Sequence, residues 1–446
     1  MKQYLRYSKY LFVFIIFFLC LIFSYHLFLG DSIVNYGFSY AIVKGEVPYK
    51  DFNLIIPLLA PFLYAIPLLL VRSSLVFYLT QAGLLTGMFY LLEKKLSYKI
   101  YLFFLIIAFS YPLLLSSGLF PGYNFILFLL IVLISYLEEK NSNDYLIGFL
   151  IGLSIITKHT IGLFLIIPSI LFYYKDLKKL LKRGIGILIP IIIFLLYLFL
   201  TKSFMQFIDL CILGLFDFAY KNKVIPNMIY ILLFVIGIIY FIIILWKEKN
   251  IYDWYYFFTF LFVFPLFDDY HFSYFVYSFL IVSLNHISYS TLYKKISIIF
   301  LFLIIGIWTI ISFSYKDSFF NYRHYPLRYM NKMMLDDYHY IDTIYHKYDN
   351  KVILFLLGTE NYFYKITNDL DITYFDLPHY GNYGKDSFIK MKKRLLSSHD
   401  VYIIIKEDAF SKDFNSHQYY KELALFIKKH GVFMEHNHSY AVYYFS

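Results

Sequence analysis

The residues best placed to do chemistry stand at the edges of long apolar runs. Asp31 follows directly on the first such run, Leu11 to Leu29. An acid held at a membrane boundary can face a cavity and take a proton from a hydroxyl. It can equally be a polar residue that ends a helix beside Gly30. Tyr49-Lys50-Asp51-Phe52 comes next and offers a cation for a phosphate with an acid beside it. The plainer reading is a loop anchor, with Pro48 and Pro57 fixing the turn and the aromatics at the interface. Lys158-His159-Thr160 interrupts two apolar half-segments, each short for a crossing. A lysine there lines a cavity, binds an anion or snorkels to the surface. Asp268-Asp269-Tyr270-His271 sets ionisable groups in a short outer loop. Such a loop could hold a divalent cation or a hydroxyl-rich substrate, or simply be solvated. Tyr123-Asn124 enters another helix from an uncharged loop, and His379 to Gly384 forms a polar, glycine-bearing loop in the tail.

These residues are positioned by apolar scaffold. After the Gly30–Asn53 loop, apolar segments recur at 54–71, 74–92, 98–116, 120–137, 145–157, 159–174, 184–201, 226–246, 252–267, 272–290 and 296–314. From about Lys316 charge density rises and apolar runs shrink to strand length. A helix over 329–348, a strand at Lys351–Leu357, a helix capped by Asp386 and a strand at Val401–Ile405 follow. A helix over 419–430 closed by Gly431 and two short strands complete the pattern. The predicted fold is a polytopic α-helical membrane protein with about 11 to 13 transmembrane helices. Residues 1–315 form the membrane domain and 316–446 a small extracytoplasmic α/β domain.

Basic loops set the orientation. The N-terminus carries Lys2, Arg6 and Lys9, and the strongest basic loop is Lys175 to Arg183. Both are expected to be cytoplasmic. Alternating forward puts Lys247-Glu248-Lys249 and Lys294-Lys295 inside and the tail outside. The front half has a parity conflict: an odd number of apolar segments lies between two cytoplasmic points. The candidates for an irregular element are 54–71, with Pro57, Pro61 and Pro67, and the pair 145–157 and 159–174. Non-helical backbone at membrane depth is tolerated only where protein or a water-filled cavity covers it.

Composition supports this class. Only 16% of residues are charged, against 60% hydrophobic, well outside the range of soluble domains. The net charge of +10 falls largely in loops between apolar runs, which fits orientation in a membrane and argues against nucleic-acid binding. Cys20 and Cys211 form no CxxC and no disulfide framework.

Order and spacing of these residues resemble GT-C glycosyltransferases, in particular the bacterial relatives of protein mannosyltransferases and aminoarabinose transferases. The matching residues are Asp31 after the first helix, then Gly45-Glu46-Val47-Pro48-Tyr49-Lys50-Asp51-Phe52, then Pro57-Leu58. Gly148 to Thr160 resembles the family's glycine-rich helix ending in a Lys-polar-Thr element. The resemblance covers about residues 1–314. It implies a cell-membrane enzyme that transfers a sugar from a polyprenyl-phosphate-linked donor to an envelope glycan, lipid or protein, with inversion. Asp31 would be the base, Lys50 and Lys158 would meet the phosphate, and Asp51 would support the loop. Tyr49, Tyr123, Asn124, His159, Asp268, Asp269 and His271 complete the candidate substrate site, with a divalent cation left open. The chain departs from the family in having Asp31-Ser32 where many relatives have Asp-Glu, and Ile56-Pro57-Leu58 where a Lys-Pro-Pro element is usual.

Two other functions fit a chain of this class. A transporter or flippase of envelope glycolipids would show glycine-broken or ionisable helices paired between two halves, and no such pairing is visible. A polysaccharide polymerase or ligase shares the lipid-linked substrate and large outer loops but not the early acid and its Pro-Tyr-Lys-Asp-Phe element.

Overall fold

The computed structural model describes residues 2–23, 31–96, 122–221, 228–261, 269–286, 332–348, 351–355, 360–376, 378, 381–410, 418–437 and 439–446. The chain divides into two compact units. One comprises Met1–Leu27, Ile56–Leu196 and Val224–Asn321; the other comprises Phe28–Ile55, Tyr197–Lys223 and Tyr322–Ser446.

The first unit is helical. Its elements are α1 (Lys2–Phe23), then, after α2 of the second unit (Asp31–Lys44), α3 (Leu59–Leu68), α4 (Ser74–Leu96), α5 (Tyr123–Glu139) and α6 (Asp144–Ile155). These are followed by α7 (His159–Phe164), α8 (Ile166–Tyr173), α9 (Leu177–Leu200) and, after α10 of the second unit (Gly214–Lys221), α11 (Met228–Glu248). Among the described residues, three helices are long and apolar enough to cross a membrane: Leu75–Leu96, Leu177–Leu200 and Ile231–Glu248. Along α9, Leu188, Ile192, Ile193 and Leu196 point outward. A row of exposed aliphatics of that length suits lipid rather than water.

Both segments that the parity conflict singles out are broken. The 54–71 run is extended through Pro57 and supplies only the short helix α3. Proline lacks the N–H a helix interior needs and disfavours helix at the residue before it. The 145–174 region splits into α6, α7 and α8, with Lys158 extended between the first two. The two irregular stretches meet, because the Leu59 N–H donates to the Ile156 carbonyl at 3.1 Å.

Glycines explain how α6 packs. A Cβ on Gly148 would lie 2.1 Å from the Arg183 carbonyl oxygen, and one on Gly152 would lie 2.5 Å from the Ile187 carbonyl oxygen. One turn apart on α6, they let α9 approach backbone to backbone, the small-residue logic of membrane helix pairs. A Cβ on Gly162 would lie 2.4 Å from Ile155 N, so α7 can fold back on α6 only with glycine there.

Helix direction gives this unit two polar ends. Asn124 opens α5 and Glu138 closes it, about 21 Å apart. At the Glu138 end, Arg183 donates to Glu138 Oε2 at 3.0 Å, to Asp144 at 3.0 Å and to Ser169 at 3.0 Å. Tyr255, in α12 (Ile251–Phe260), donates to Glu138 at 2.9 Å. Nearby, Lys95 donates to Ser135 at 2.6 Å and lies 4.2 Å from the Tyr252 ring. Asp253 meets His286, at the end of α13 (Asp269–His286), at 2.8 Å. Lys9 of α1 pairs with Glu93 of α4 at this same end, so α1 runs from here toward the Asn124 end.

The second unit contains α2 and the tail. Its tail elements are α14 (Lys332–Lys347), β1 (Val352–Leu354), α15 (Glu360–Thr367), α16 (Ser387–Leu396), β2 (Val401–Lys406), α17 (Gln418–His430), β3 (Val432–His436) and β4 (Tyr440–Phe445). Strand order is β1-β2-β4-β3, with β1 parallel to β2 and the other pairs antiparallel. Alternation along β2 builds both faces. Ile403 and Ile405 pack with Met391, Leu395, Leu423 and Ile427 under α16 and α17. Ile404 packs with Ile341, Ile344 and Tyr364 under α14 and α15. The expected α/β alternation is present, with β1 shorter than 351–357 and α15 an added helix.

Three local expectations are corrected. Residues 31–44 of the expected Gly30–Asn53 loop are helical. Ile33, Val34, Tyr36, Phe38 and Tyr40 are buried there, and Phe38 stacks on Phe52 at 5.9 Å and meets Tyr362 edge-on at 6.1 Å. Asp386 sits just before α16 but makes no side-chain cap. Its φ of 56° is left-handed, and Asp217 instead accepts its N–H at 2.8 Å. Asp269, Tyr270 and His271 are the first turn of α13 rather than part of a loop.

Candidate functional site

In the helical unit, Tyr123, Asn124 and Lys158 come together at the end opposite Arg183. Lys158 Nζ donates to Asn124 Oδ1 at 3.1 Å and lies 5.3 Å from the Tyr123 ring centroid. The lysine is half-buried, and His159 beside it opens α7. Asn124 is buried at the first turn of α5. A cation placed between an amide oxygen and an aromatic face suits an anionic ligand.

In the second unit, Asp31 is the first residue of α2. The side chains of Asp31, Asp269 and His271 lie outside the described positions, as do Asp268, His379 and Tyr380 entirely. Asp51 accepts the Val47 N–H at 2.7 Å, closing the turn that carries Lys50. Tyr49 is fully buried at a left-handed φ of 68°, its ring 5.3 Å from Phe207. Lys50 and Asp51 are exposed.

This turn is fastened to the tail. Tyr374 donates its hydroxyl to the Tyr49 carbonyl. Burial pushes that hydroxyl up to about 12, so it stays a donor. Asn53 donates to the Tyr374 carbonyl at 3.3 Å. Tyr40 bonds Asp369, and Lys44 pairs with Asp371 at 2.7 Å. The helix that begins at Asp31 is thereby held by the C-terminal α/β domain at its far end.

Sequence reasoning did not single out Glu46. Its Oε1 accepts the Ile372 N–H at 3.3 Å, while its Oε2 is buried with no hydrogen-bond partner among the described residues. Burial first, then Asp371, push the carboxyl up to about 7, against the pull of Lys44 and Lys365. The folded state therefore favours the protonated form. The associated stability is full below the ordinary value of 4.5 and is lost as pH rises through about 7. Glu46→Gln is expected to remove this dependence and to stabilise the protein by about 1 kcal/mol at neutral to alkaline pH, after discounting for partial exposure. Hydrogen exchange of segment 369–376 against pH reads the effect, and an unchanged pH profile in the variant would refute it.

Arg394 was also unremarked. Its guanidinium stacks 4.1 Å from the Tyr374 ring centroid and 5.6 Å from that of Phe375. Burial pulls its pKa below the usual guanidinium range, and no carboxylate pairs with it among the described residues. Only the tail's folding brings it to the Tyr49–Asp51 turn, so no local pattern marks it.

Among the described residues no group of three or more His, Cys, Asp or Glu side chains is arranged to hold a metal. No family model, curated protein or solved structure matches the chain.

Proposed function

We propose that the chain is an integral-membrane glycosyltransferase of GT-C type, with about 11 to 13 spans, its N-terminus cytoplasmic and its C-terminal domain outside. It takes sugar from a polyprenyl-phosphate donor and gives it to an extracytoplasmic envelope acceptor. The observation that carries this reading is the polarity of the helical unit. The basic 175–183 stretch leads into the Arg183 end, the end expected to face the cytoplasm. Lys158, Asn124 and Tyr123 lie at the other end, toward which α1 runs.

In this mechanism Asp31 takes the acceptor hydroxyl proton as the acceptor oxygen bonds to the anomeric carbon. The bond from that carbon to the phosphate oxygen breaks, and its electron pair leaves with polyprenyl phosphate. Lys158 meets the charge on the phosphate, and Lys50 is a second cation for the same role. The test is release of polyprenyl phosphate from a labelled donor by the purified chain in proteoliposomes. Lys158→Gln is expected to raise KM for the donor about tenfold with a smaller effect on kcat. Donor turnover that is indifferent to Lys158 would remove it from the site.

A further inference from the structure

The C-terminal domain carries cations that no carboxylate answers among the described residues. Lys392, Lys393 and Arg394 are consecutive on α16, so they fan across its exposed side at about 100° intervals. Lys392 reaches over the Phe426 ring of α17 at 4.9 Å. Arg394 turns the other way onto Tyr374, whose hydroxyl binds the Tyr49 carbonyl. On α17, Lys429 is exposed three residues from Phe426, and Lys428 reaches over the Phe410 ring at 4.9 Å. None of these five side chains has an ion-pair or hydrogen-bond partner among the described residues. By contrast, Lys390 on the same helix is neutralised by Asp209. The result is a track of positive charge, unpaired among the described residues, running from α17 across α16 to the Tyr49–Asp51 turn, inside one compact unit.

We infer that this track binds a phosphate-bearing polyanion, and that the acceptor of the proposed transfer is an anionic envelope polymer. The second half of this inference rests on the glycosyltransferase reading; the first does not. Repeated anions along a chain gain from each cation they meet and release counterions as they bind. Arg394, over the Tyr374 ring, presents a guanidinium fork suited to a phosphate. A membrane surface is the less favoured occupant, since the track ends at a polar turn whose Lys50 and Asp51 are exposed.

The test uses the full chain in phosphatidylcholine nanodiscs and fluorescein-labelled inorganic polyphosphate, read by anisotropy. The parent is expected to bind, with affinity falling steeply as salt rises. The triple variant Lys392→Gln, Lys393→Gln, Arg394→Gln is expected to bind about tenfold more weakly or worse. Lys428→Gln with Lys429→Gln, at the far end of the track, is expected to weaken binding less, and it decides the matter alone if the triple variant misfolds. Failure of the parent to bind, or full binding by a folded variant, overturns the inference. So does protection of α16 from hydrogen exchange by phosphatidylglycerol in the disc but not by polyphosphate. Asp31→Asn should bind polyphosphate like the parent. If the parent binds polymer but moves no sugar, the enzymatic reading falls and the track stands. If it moves sugar but does not bind, the track falls alone.

Discussion

Asp31→Asn is expected to abolish sugar transfer, lowering kcat by about a thousandfold, the scale of a lost general base. Asparagine keeps the shape of the side chain but cannot accept the hydroxyl proton. The fold should hardly respond. Asparagine is as good as aspartate at a helix start, and α2 is anchored further along by the Phe38 and Tyr362 rings and by Lys44 with Asp371. Loss of a favourable charge at the helix N-terminus costs about 0.5 kcal/mol. The measurement is single-turnover transfer beside a thermal unfolding curve in the same detergent. A variant that retains parental turnover would end the assignment of Asp31, whatever the donor.

Arg183→Met is expected to be the most damaging single change to stability, at about 3 to 5 kcal/mol. The arginine is 1% exposed and ties Glu138, Asp144 and Ser169, from three neighbouring helices, to its own. Removing it strands the Glu138 carboxylate, whose side chain is only 2% exposed. The double variant Arg183→Met, Glu138→Gln should recover much of the loss, because the stranded charge is gone. Thermal unfolding of the parent, both single variants and the double variant gives the coupling directly. Additive losses would mean that the cluster is a set of independent contacts and not one network.

Much of the architecture is legible in the residues themselves. Apolar run length predicts membrane helices because a buried backbone in lipid must bond within its own segment. The tail's order of strands and helices follows from local period and from stop signals such as Gly431. Pro57 and Lys158 mark the broken segments, since each conflicts with a continuous apolar helix. Lys158 and Asn124 are visible as polar residues out of place, but their meeting at 3.1 Å depends on α5 and α6 packing side by side.

Other features needed tertiary structure. Residues 31–44 read as a loop because their apolar residues show no helical stripe to match. They are helical because Phe38 and its neighbours are buried against Phe52 and Tyr362. Glu46 is an ordinary loop acid until Ile372 and Asp371 close over it. The α16 lysines are plainly basic in sequence, yet a basic helix is usually balanced by acids from elsewhere. Only the folded domain shows Asp209 answering Lys390 while Lys392, Lys393 and Arg394 go unanswered among the described residues. Sequence alone determined which stretches are apolar, which are broken and where the first acid stands. Tertiary structure decided that the segment following Asp31 belongs to the same compact unit as the tail. The reason is that the contacts binding them, from Tyr40 to Asp369 and from Tyr49 to Tyr374, join residues more than 300 positions apart, and no local period records such a pairing.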